Sequence, residues 1–212
     1  MSQTVDGPRA RYREQVKSEV LVHAWEQVAA AGASALSLKA IAQRMGMTAP
    51  ALYRYVASRD DLLTELVLSA YADLAGTVEA AAEAGAEVEP GQRLRLVAGA
   101  LRAWAVADPQ RYLLLYGTPV PGYAAPPEAT ELAQRIFAPL HAAFVAALPQ
   151  SGTRARRAKL AHDLTVTLWT RLHGALSLEL AGHFAGMDVD PGRHFASELE
   201  SVVPGPASGR RR

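Results

Sequence analysis

The chain has 212 residues, half of them hydrophobic, and carries 22 Lys or Arg against 21 Asp or Glu. This apolar content can bury a sizeable core and excludes disorder of the whole chain. The absence of cysteine excludes disulfides, thiol catalysis and zinc sites with Cys ligands. No apolar run reaches the about 18 residues of a membrane helix, and the N-terminus lacks a secretory signal. We therefore expect a cytoplasmic protein without a membrane partner.

The charge is unevenly distributed along the chain. Between Arg9 and Arg59 there are eight Lys or Arg and three Glu, whereas from Asp60 onward there are fourteen Lys or Arg and seventeen Asp or Glu. A basic segment at the N-terminus suits a surface that binds phosphate groups. An ordinary solvated helix face has the same pattern, so charge alone leaves both interpretations open.

Four helices are predicted within residues 1–76. In the first, apolar residues recur every four positions until Gly32, namely Val16, Val20, Ala24 and Val28. Ser37 is expected to cap a second helix that ends near Gly46, and Thr48 to cap a third that runs to about Tyr55. Ser58 caps the fourth. The predicted organisation is a flexible arm over residues 1–10, a three-helix domain over 11–58 and a connecting helix over 59–76.

The second half is also predicted to be helical, which makes the fold class all-α. The stretch AAAEAGAEVEPG is expected to be a loose helix end and a linker. Helices are predicted at about residues 91–107, 109–117, 127–148 and 154–181, whereas the segment TPVPGYAAPP is not helical. A second domain thus covers residues 77–202. The tail over 203–212 is expected to be disordered.

The segment LSLKAIAQRMGMTAPALYRYVASRDDLL, residues 36–63, carries the most specific pattern. Two short helices joined by a tight turn, with Ile41, Ala42, Met47 and Leu52 facing inward, form a helix-turn-helix. From this turn through Leu-Tyr-x-Tyr to Ser-Arg-Asp-Asp-Leu-Leu, the sequence strongly resembles the TetR family of transcriptional regulators over about residues 11–63. Val56 departs from the family, which commonly has Phe there. The alternative is an ordinary helical hairpin.

The resemblance implies that the third helix enters the major groove of double-stranded operator DNA, with four residues near the bases: Thr48, Ala49, Pro50 and Ala51. These side chains form few hydrogen bonds, so Arg44, Arg54 and DNA shape are expected to contribute to specificity. Four further positions match family residues that contact phosphates: Lys39, Tyr53, Tyr55 and Arg59. Three basic residues resemble an arm for the minor groove, although a solvated extension explains them equally well: Arg9, Arg11 and Arg13.

In the second half, Trp169, His173 and Gly174 within LWTRLHGALSLELAGHF, echoed by RYLLLYGTPVPGY, resemble the WHG-type C-terminal domain of TetR-like regulators. Aromatic side chains with a few polar groups are typical of a pocket for a small-molecule effector, although each of these residues can also belong to the core. The candidate residues are Trp104, Tyr112, Tyr116, Phe137, His141, Trp169 and His173. No cofactor is expected. Metal binding is disfavoured, because no second His or carboxylate stands four residues after His173.

Leucines recur every four residues between positions 160 and 180, and the preceding helix has the same spacing of apolar residues. Two amphipathic antiparallel helices suit a four-helix interface of a homodimer, and the family uses the corresponding pair in this way. The predicted interface includes five residues: Leu140, Phe144, Leu164, Leu168 and Leu172. The alternative is burial within one chain.

These predictions describe a repressor that is released from its operator by a small molecule. An enzyme is disfavoured, because the chain has no Cys, no G-x-S-x-G, no Gly-rich phosphate loop and no H-E-x-x-H motif. Two alternatives stay open, a constitutive or architectural DNA-binding protein without an effector and a transcriptional activator.

Overall fold

A computed structural model describes residues 7–204, and this range contains α-helices and one 3-10 turn but no β-strand. In chain order the helices are α1 (Pro8–Ala31), α2 (Leu38–Arg44), α3 (Ala49–Leu52), α4 (Arg59–Ala84), α5 (Pro90–Ala107), α6 (Pro109–Tyr116), α7 (Pro127–Ala147), α8 (Arg154–Leu180) and α9 (Pro191–Glu200). The predicted all-α fold class is confirmed. Residues 1–6 of the predicted arm and 205–212 of the predicted tail lie outside the described residues. None of the helices within 7–204 has the length and apolarity to cross a membrane.

The chain forms two compact units. The N-terminal unit comprises the residues up to Ala70 together with Thr118–Pro126, and the C-terminal unit comprises Tyr71–Gly117 and the residues from Pro127 onward. The predicted boundary between residues 76 and 77 therefore differs from the observed division, which falls earlier within α4. The segment 118–126 also belongs to the first unit, although it follows α6 in sequence.

The N-terminal unit is built around the apolar stripe of α1, whose four predicted members are all buried. Helices α2, α3 and α4 each contribute a side chain that is at most 1 % exposed, namely Ile41, Leu52 and Leu63. The Ser37 N–H donates to Oε1 of Gln27 at 2.8 Å, which attaches the start of α2 to α1. These contacts fix α2 and α3 on a rigid support.

The C-terminal unit has its core between α5, α7 and α8. Leu101, Ile136, Leu168 and the large ring of Phe144 are each at most 1 % exposed there. The last helix, α9, adds the buried Phe195 to the same core. Burial of this much apolar surface is the main favourable contribution to folding of the unit.

Helices α4 and α9 differ from the sequence-based prediction. Helix α4 continues past the predicted end at residue 76 to Ala84, into the first part of the segment predicted as a loose helix end and linker, because Leu74 and Val78 are buried and the Ala and Glu residues that follow favour helix. Helix α9 was not predicted. The Asp190 side chain accepts a hydrogen bond from the N–H of Arg193, as Asp108 caps α6, so a second Asp-Pro helix start was present in the sequence.

Candidate DNA-binding and ligand-binding sites

The helix-turn-helix consists of α2, a turn at residues 45–48 and α3. The N–H of Ala40 donates to Oγ of Ser37 at 3.3 Å and the N–H of Ala51 to Oγ1 of Thr48 at 3.4 Å, which confirms both N-caps. Gly46 has a φ of 66°, a conformation that glycine adopts without a steric penalty. Hydrogen-bonded turns rather than regular helix continue beyond α3 to residue 56. The third helix is therefore shorter than predicted.

Most side chains predicted to face DNA are open to solvent. Tyr53 is 52 % exposed, and no side-chain hydrogen bond or ion pair found within residues 7–204 involves Lys39, Tyr53 or Arg54. The polar ends of these three side chains are therefore free to bind an external acceptor. Thr48 and Pro50, which are also predicted to contact DNA, are exposed as well. The remaining predicted contacts are half-buried, namely Ala49, Ala51 and Tyr55.

Two arginines of the predicted DNA surface have partners within the protein. Nη2 of Arg44 lies 2.8 Å from Oε2 of Glu26, although the side chain of Arg44 stays half exposed. Arg59 donates from Nε to the Leu36 carbonyl at 3.1 Å and from Nη2 to the Ala33 carbonyl at 3.0 Å. Arg59 thus fastens the turn between α1 and α2 to the start of α4. The guanidinium of Arg59 is therefore already hydrogen-bonded within the protein, and its contact with a phosphate stays a prediction.

The three arginines of the predicted minor-groove arm lie on a helix. Helix α1 begins at Pro8 with Gly7 as its N-cap, so Arg9, Arg11 and Arg13 occupy its first two turns and are exposed. An arm that inserts into a minor groove is an extended segment. The prediction of a flexible arm is therefore wrong for residues 8–10, and these arginines belong to a rigid helix face.

In the C-terminal unit, five of the predicted ligand-site residues form a continuous set of ring contacts, here called the aromatic cluster. The ring centroid of Tyr116 lies 4.3 Å from that of His173 and 5.2 Å from that of Tyr112. Trp169 lies 4.0 Å from His173 and 4.5 Å from Phe137. The cluster therefore joins α6, α8 and α7.

Sequence reasoning missed two residues beside this cluster. Tyr71 of α4 packs edge-on against Tyr116 with centroids 6.0 Å apart, and Oγ of Ser177 lies 3.2 Å from Oη of Tyr112. Ser177 stands four residues after His173 on α8, so the two side chains lie on the same face of the helix, and this spacing is the signal that could have found Ser177. Tyr71 stands four residues after the buried Val67 and so continues the apolar spacing of α4, which is the signal that could have found it.

Hydrogen bonding within the cluster leaves two buried polar atoms unsatisfied. Oη of the fully buried Tyr112 lies 2.7 Å from Nδ1 of His173 and fixes the imidazole ring. Nε2 of His173 and Oη of Tyr116 are buried and have no hydrogen-bond partner among the described residues. Such atoms cost free energy unless a partner satisfies them. Burial lowers the pKa of His173 to about 4 and raises the pKa of Tyr116, so both are uncharged at neutral pH.

Two predicted ligand-site residues lie apart from the aromatic cluster. Nε1 of Trp104 donates to Oδ2 of Asp73 at 2.8 Å, and Nη1 of Arg111 lies 3.0 Å from the same oxygen, so Trp104 belongs to a polar network. His141 lies in an open, mainly apolar groove of about 460 Å³ between α7 and α8, where its ring centroid is 6.4 Å from that of His162. Phe137 also lines this groove, so the groove adjoins the aromatic cluster, whereas Trp104 lies in a separate polar network.

Four of the five predicted dimer-interface residues are buried inside a single chain. Leu140, Phe144, Leu168 and Leu172 are at most 1 % exposed, and Leu164 packs partly buried against the same core. A side chain already covered by its own chain has no surface left for a partner. The interface prediction is therefore wrong for the four buried residues, and the alternative of intramolecular burial is correct for them.

Comparisons with known proteins agree with this architecture. Residues 20–66 match the family model described as bacterial regulatory proteins, tetR family, and residues 94–202 match a tetracyclin repressor-like C-terminal domain. The HTH-type transcriptional regulators Rv1816 of Mycobacterium tuberculosis and Mb1846 of Mycobacterium bovis are each 37% identical over 93% of this chain and 94% of their own length.

Solved structures extend the similarity. The crystal structure of regulatory protein SCO4313 has 48% sequence identity and a TM-score of 0.81, and the match covers 93% of this chain and 99% of that one. The TetR family regulator PfmR from Thermus thermophilus has 18% identity, a TM-score of 0.61 and coverage of 88% and 97%, which shows the shared fold. The chain belongs to the TetR family of bacterial transcriptional regulators. It is accordingly a DNA-binding regulator rather than an enzyme.

Proposed function

We propose that the protein is a repressor that occupies operator DNA through α2 and α3 and leaves it when a small molecule binds the aromatic cluster. The DNA-binding part rests on the polar ends of Lys39, Tyr53 and Arg54 around α3, which have no hydrogen-bond or ion-pair partner among the described residues. Ammonium, phenol and guanidinium groups suit phosphate oxygens and guanine edges. Thr48 and Pro50 stand exposed at the start of α3, where small side chains allow close approach to a base pair.

The DNA surface can be tested with duplexes that the protein itself selects. The full chain is used to select duplexes from a random library, and affinity is then measured by gel shift across salt concentrations. Lys39→Gln should weaken binding to all duplexes alike and reduce the salt slope by about one unit, because one phosphate contact is lost. Lys159→Gln, at an exposed position of α8, is the matched control. Selection of no duplex by the wild-type chain would contradict the proposal.

The regulatory direction needs a separate experiment. A reporter promoter that contains the selected duplex should be less active in cells that express the protein. Increased transcription would instead identify an activator. A constitutive repressor would keep its DNA affinity in the presence of every compound that binds the aromatic cluster.

The proposal includes a homodimer, since regulators of this family are typically dimers. Because the predicted leucines are buried, we place the dimer interface on the outer face of α7 and α8, around the open groove. Ala138 and Val166 are exposed on this face, and Phe137 is half-buried in the groove. A helix pair with such a face on each chain suits a four-helix interface.

The interface can be tested with two valines of similar exposure. Val166 is 40 % exposed on α8, whereas Val106 is 42 % exposed on α5. Val166→Glu should give a folded monomer in light scattering, because an unpaired carboxylate is costly in a dry interface. Val106→Glu should stay dimeric. Dimers of both variants would place the interface elsewhere.

The ligand part of the proposal is supported by the two unsatisfied atoms in the aromatic cluster, Nε2 of His173 and Oη of Tyr116. Both groups are uncharged at neutral pH, so they favour an uncharged hydroxyl or carbonyl group attached to an apolar body. The rings of Trp169 and Phe137 are placed to cover that body. A neutral aromatic alcohol has this combination.

Tryptophan fluorescence can compare simple phenols with the corresponding benzoates. Phenols should bind more tightly than benzoates. Tyr116→Phe should lower the affinity for phenols, whereas Tyr12→Phe, on the exposed face of α1, should leave it unchanged. A saturating concentration of the selected duplex should lower the affinity of the protein for phenol. Phenol should lower the affinity for the duplex by the same factor, about 5- to 150-fold for typical couplings. A phenol affinity that is independent of the duplex would contradict the release mechanism for that compound.

A further inference from the structure

An open cleft of about 470 Å³ lies between the first turns of α1 and the turns that follow α3. It is lined by six residues, Pro8, Arg9, Tyr12, Arg13, Arg54 and Tyr55. Arg54 and Tyr55 belong to the expected DNA surface, whereas Arg9, Tyr12 and Arg13 come from outside the helix-turn-helix. The cleft therefore joins α1 to the neighbourhood of α3 within the N-terminal unit.

The cleft concentrates positive charge, and its lining contains no carboxylate among the described residues. Within residues 7–204, no ion pair or hydrogen bond involves the guanidinium groups of Arg9, Arg13 or Arg54, and no acidic residue of this range lines the cleft. The first turn of α1 contains no acidic residue, and its N-cap is Gly7, which has no side chain to satisfy the helix N–H groups. Like charges gathered in this way repel each other and lower the cost of admitting an anion.

The shape and donors of the cleft indicate which anion suits it. Guanidinium groups bind phosphate through two parallel N–H donors, and the hydroxyls of Tyr12 and Tyr55 add further donors of the kind that contact phosphate oxygens. Tyr12 is 61 % exposed, so its ring leaves the cleft open to a large partner rather than closing it around a small ion. A phosphodiester on a DNA strand meets these requirements.

We propose that this cleft holds a phosphate of the DNA backbone, so that Arg9 and Arg13 of α1 act with Arg54 as a clamp on one strand. The inference rests on the proposed DNA binding through α2 and α3 and adds a contact that the helix-turn-helix alone does not contain. It also gives Arg9 and Arg13 a function on a helix, in place of insertion into a minor groove. Free inorganic phosphate has the same chemistry and is the alternative source of the anion.

The test compares a double variant in the cleft with a single variant beside it. Arg9→Gln with Arg13→Gln removes two guanidinium groups that line the cleft, whereas Arg11→Gln changes an equally exposed residue of the same helix that does not line it. The double variant should bind a 30-base-pair duplex of arbitrary sequence on the order of tenfold more weakly, with a salt slope reduced by about one unit. Arg11→Gln should change both quantities much less.

Each outcome separates the clamp from the underlying DNA binding. Equal losses in the Arg11 variant and the double variant would indicate general electrostatic attraction and overturn the clamp. Wild-type binding to inorganic phosphate by calorimetry, with unchanged duplex affinity in the double variant, would identify a free-anion site and also overturn it. Failure of the wild-type chain to bind any duplex overturns the proposed function itself. Circular dichroism melts that coincide for all variants show that folding is not the cause.

Discussion

The two candidate sites place their functional side chains in opposite environments. Around α3, Lys39, Tyr53 and Arg54 are exposed, and their polar ends form no hydrogen bond or ion pair within residues 7–204. In the aromatic cluster, Tyr112 is fully buried, and the unsatisfied atoms of Tyr116 and His173 are closed off from solvent. Substitutions in the first site should therefore change binding without changing stability. Substitutions in or near the second should change both, and stability has to be measured before binding is interpreted.

The largest expected effect is in the core that supports the aromatic cluster. Leu168→Ala removes a side chain that is 0 % exposed, and the cavity left behind should lower the free energy of unfolding by about 2–5 kcal/mol. Urea denaturation at two protein concentrations measures this loss and separates it from dissociation of the proposed dimer. A folded monomer of unchanged intrinsic stability would return Leu168 to the dimer interface.

His173 should make the stability of the protein depend on pH. Burial lowers the pKa of the folded state to about 4, whereas the unfolded side chain titrates near 6.5, so between these values the unfolded chain binds more protons. The contribution of His173 to stability is fully present above pH 6.5 and should be lost as the pH drops toward 4, a loss of at most about 3 kcal/mol. Denaturation curves of the wild type and of His173→Asn across this range give the difference. Parallel pH profiles would show that His173 is not held neutral.

Arg59 is expected to be the exception in the N-terminal unit. Arg59→Ala removes the charge-assisted hydrogen bonds to the Leu36 and Ala33 carbonyls and should cost about 1.5–3 kcal/mol of stability. Its salt slope for DNA should stay at the wild-type value, in contrast to Lys39→Gln. A lower slope together with unchanged stability would restore the phosphate contact that the sequence suggested for Arg59.

The smallest effect concerns the segment 118–126. Oη of Tyr123 lies 3.2 Å from Oγ1 of Thr64 within the N-terminal unit. Tyr123→Phe should lower the free energy of unfolding by about 0.5–1.5 kcal/mol, the net value of one hydrogen bond. Tyr12→Phe is a matched control, because Tyr12 is exposed and its hydroxyl makes no hydrogen bond found within residues 7–204. Equal stability of the two variants would mean that the contact contributes nothing.

The N-terminal unit was largely predictable because its signals are local. The caps at Ser37 and Thr48, the stop at Gly46 and the buried stripe of α1 each depend on residues within a few positions of one another. The fate of Arg59 was not predictable in this way. Its partners lie more than 20 residues away, and only the folded turn brings their carbonyls within reach.

In the C-terminal unit the sequence identified the right residue types but not their surroundings. Ring contacts do unite Tyr112, Tyr116, Phe137, Trp169 and His173, as the aromatic composition suggested. The four-residue spacing of the leucines is the same for a helix that faces its own core and for one that faces a partner. Only the packing of α5, α7 and α8 decides between them, and it buries Leu168 and Leu172 within the chain.

The return of residues 118–126 to the N-terminal unit means that its sequence is discontinuous. The chain passes from one unit to the other after Ala70, after Gly117 and after Pro126. A fragment cut within α4 would therefore lack the nine residues that include Tyr123, and a chimaera that exchanges only the first 70 residues would join segments from different parents. Transplanting DNA specificity between relatives of this protein requires both pieces to be moved together, and insertions in this loop should be tolerated less well than in the turn at residues 149–153.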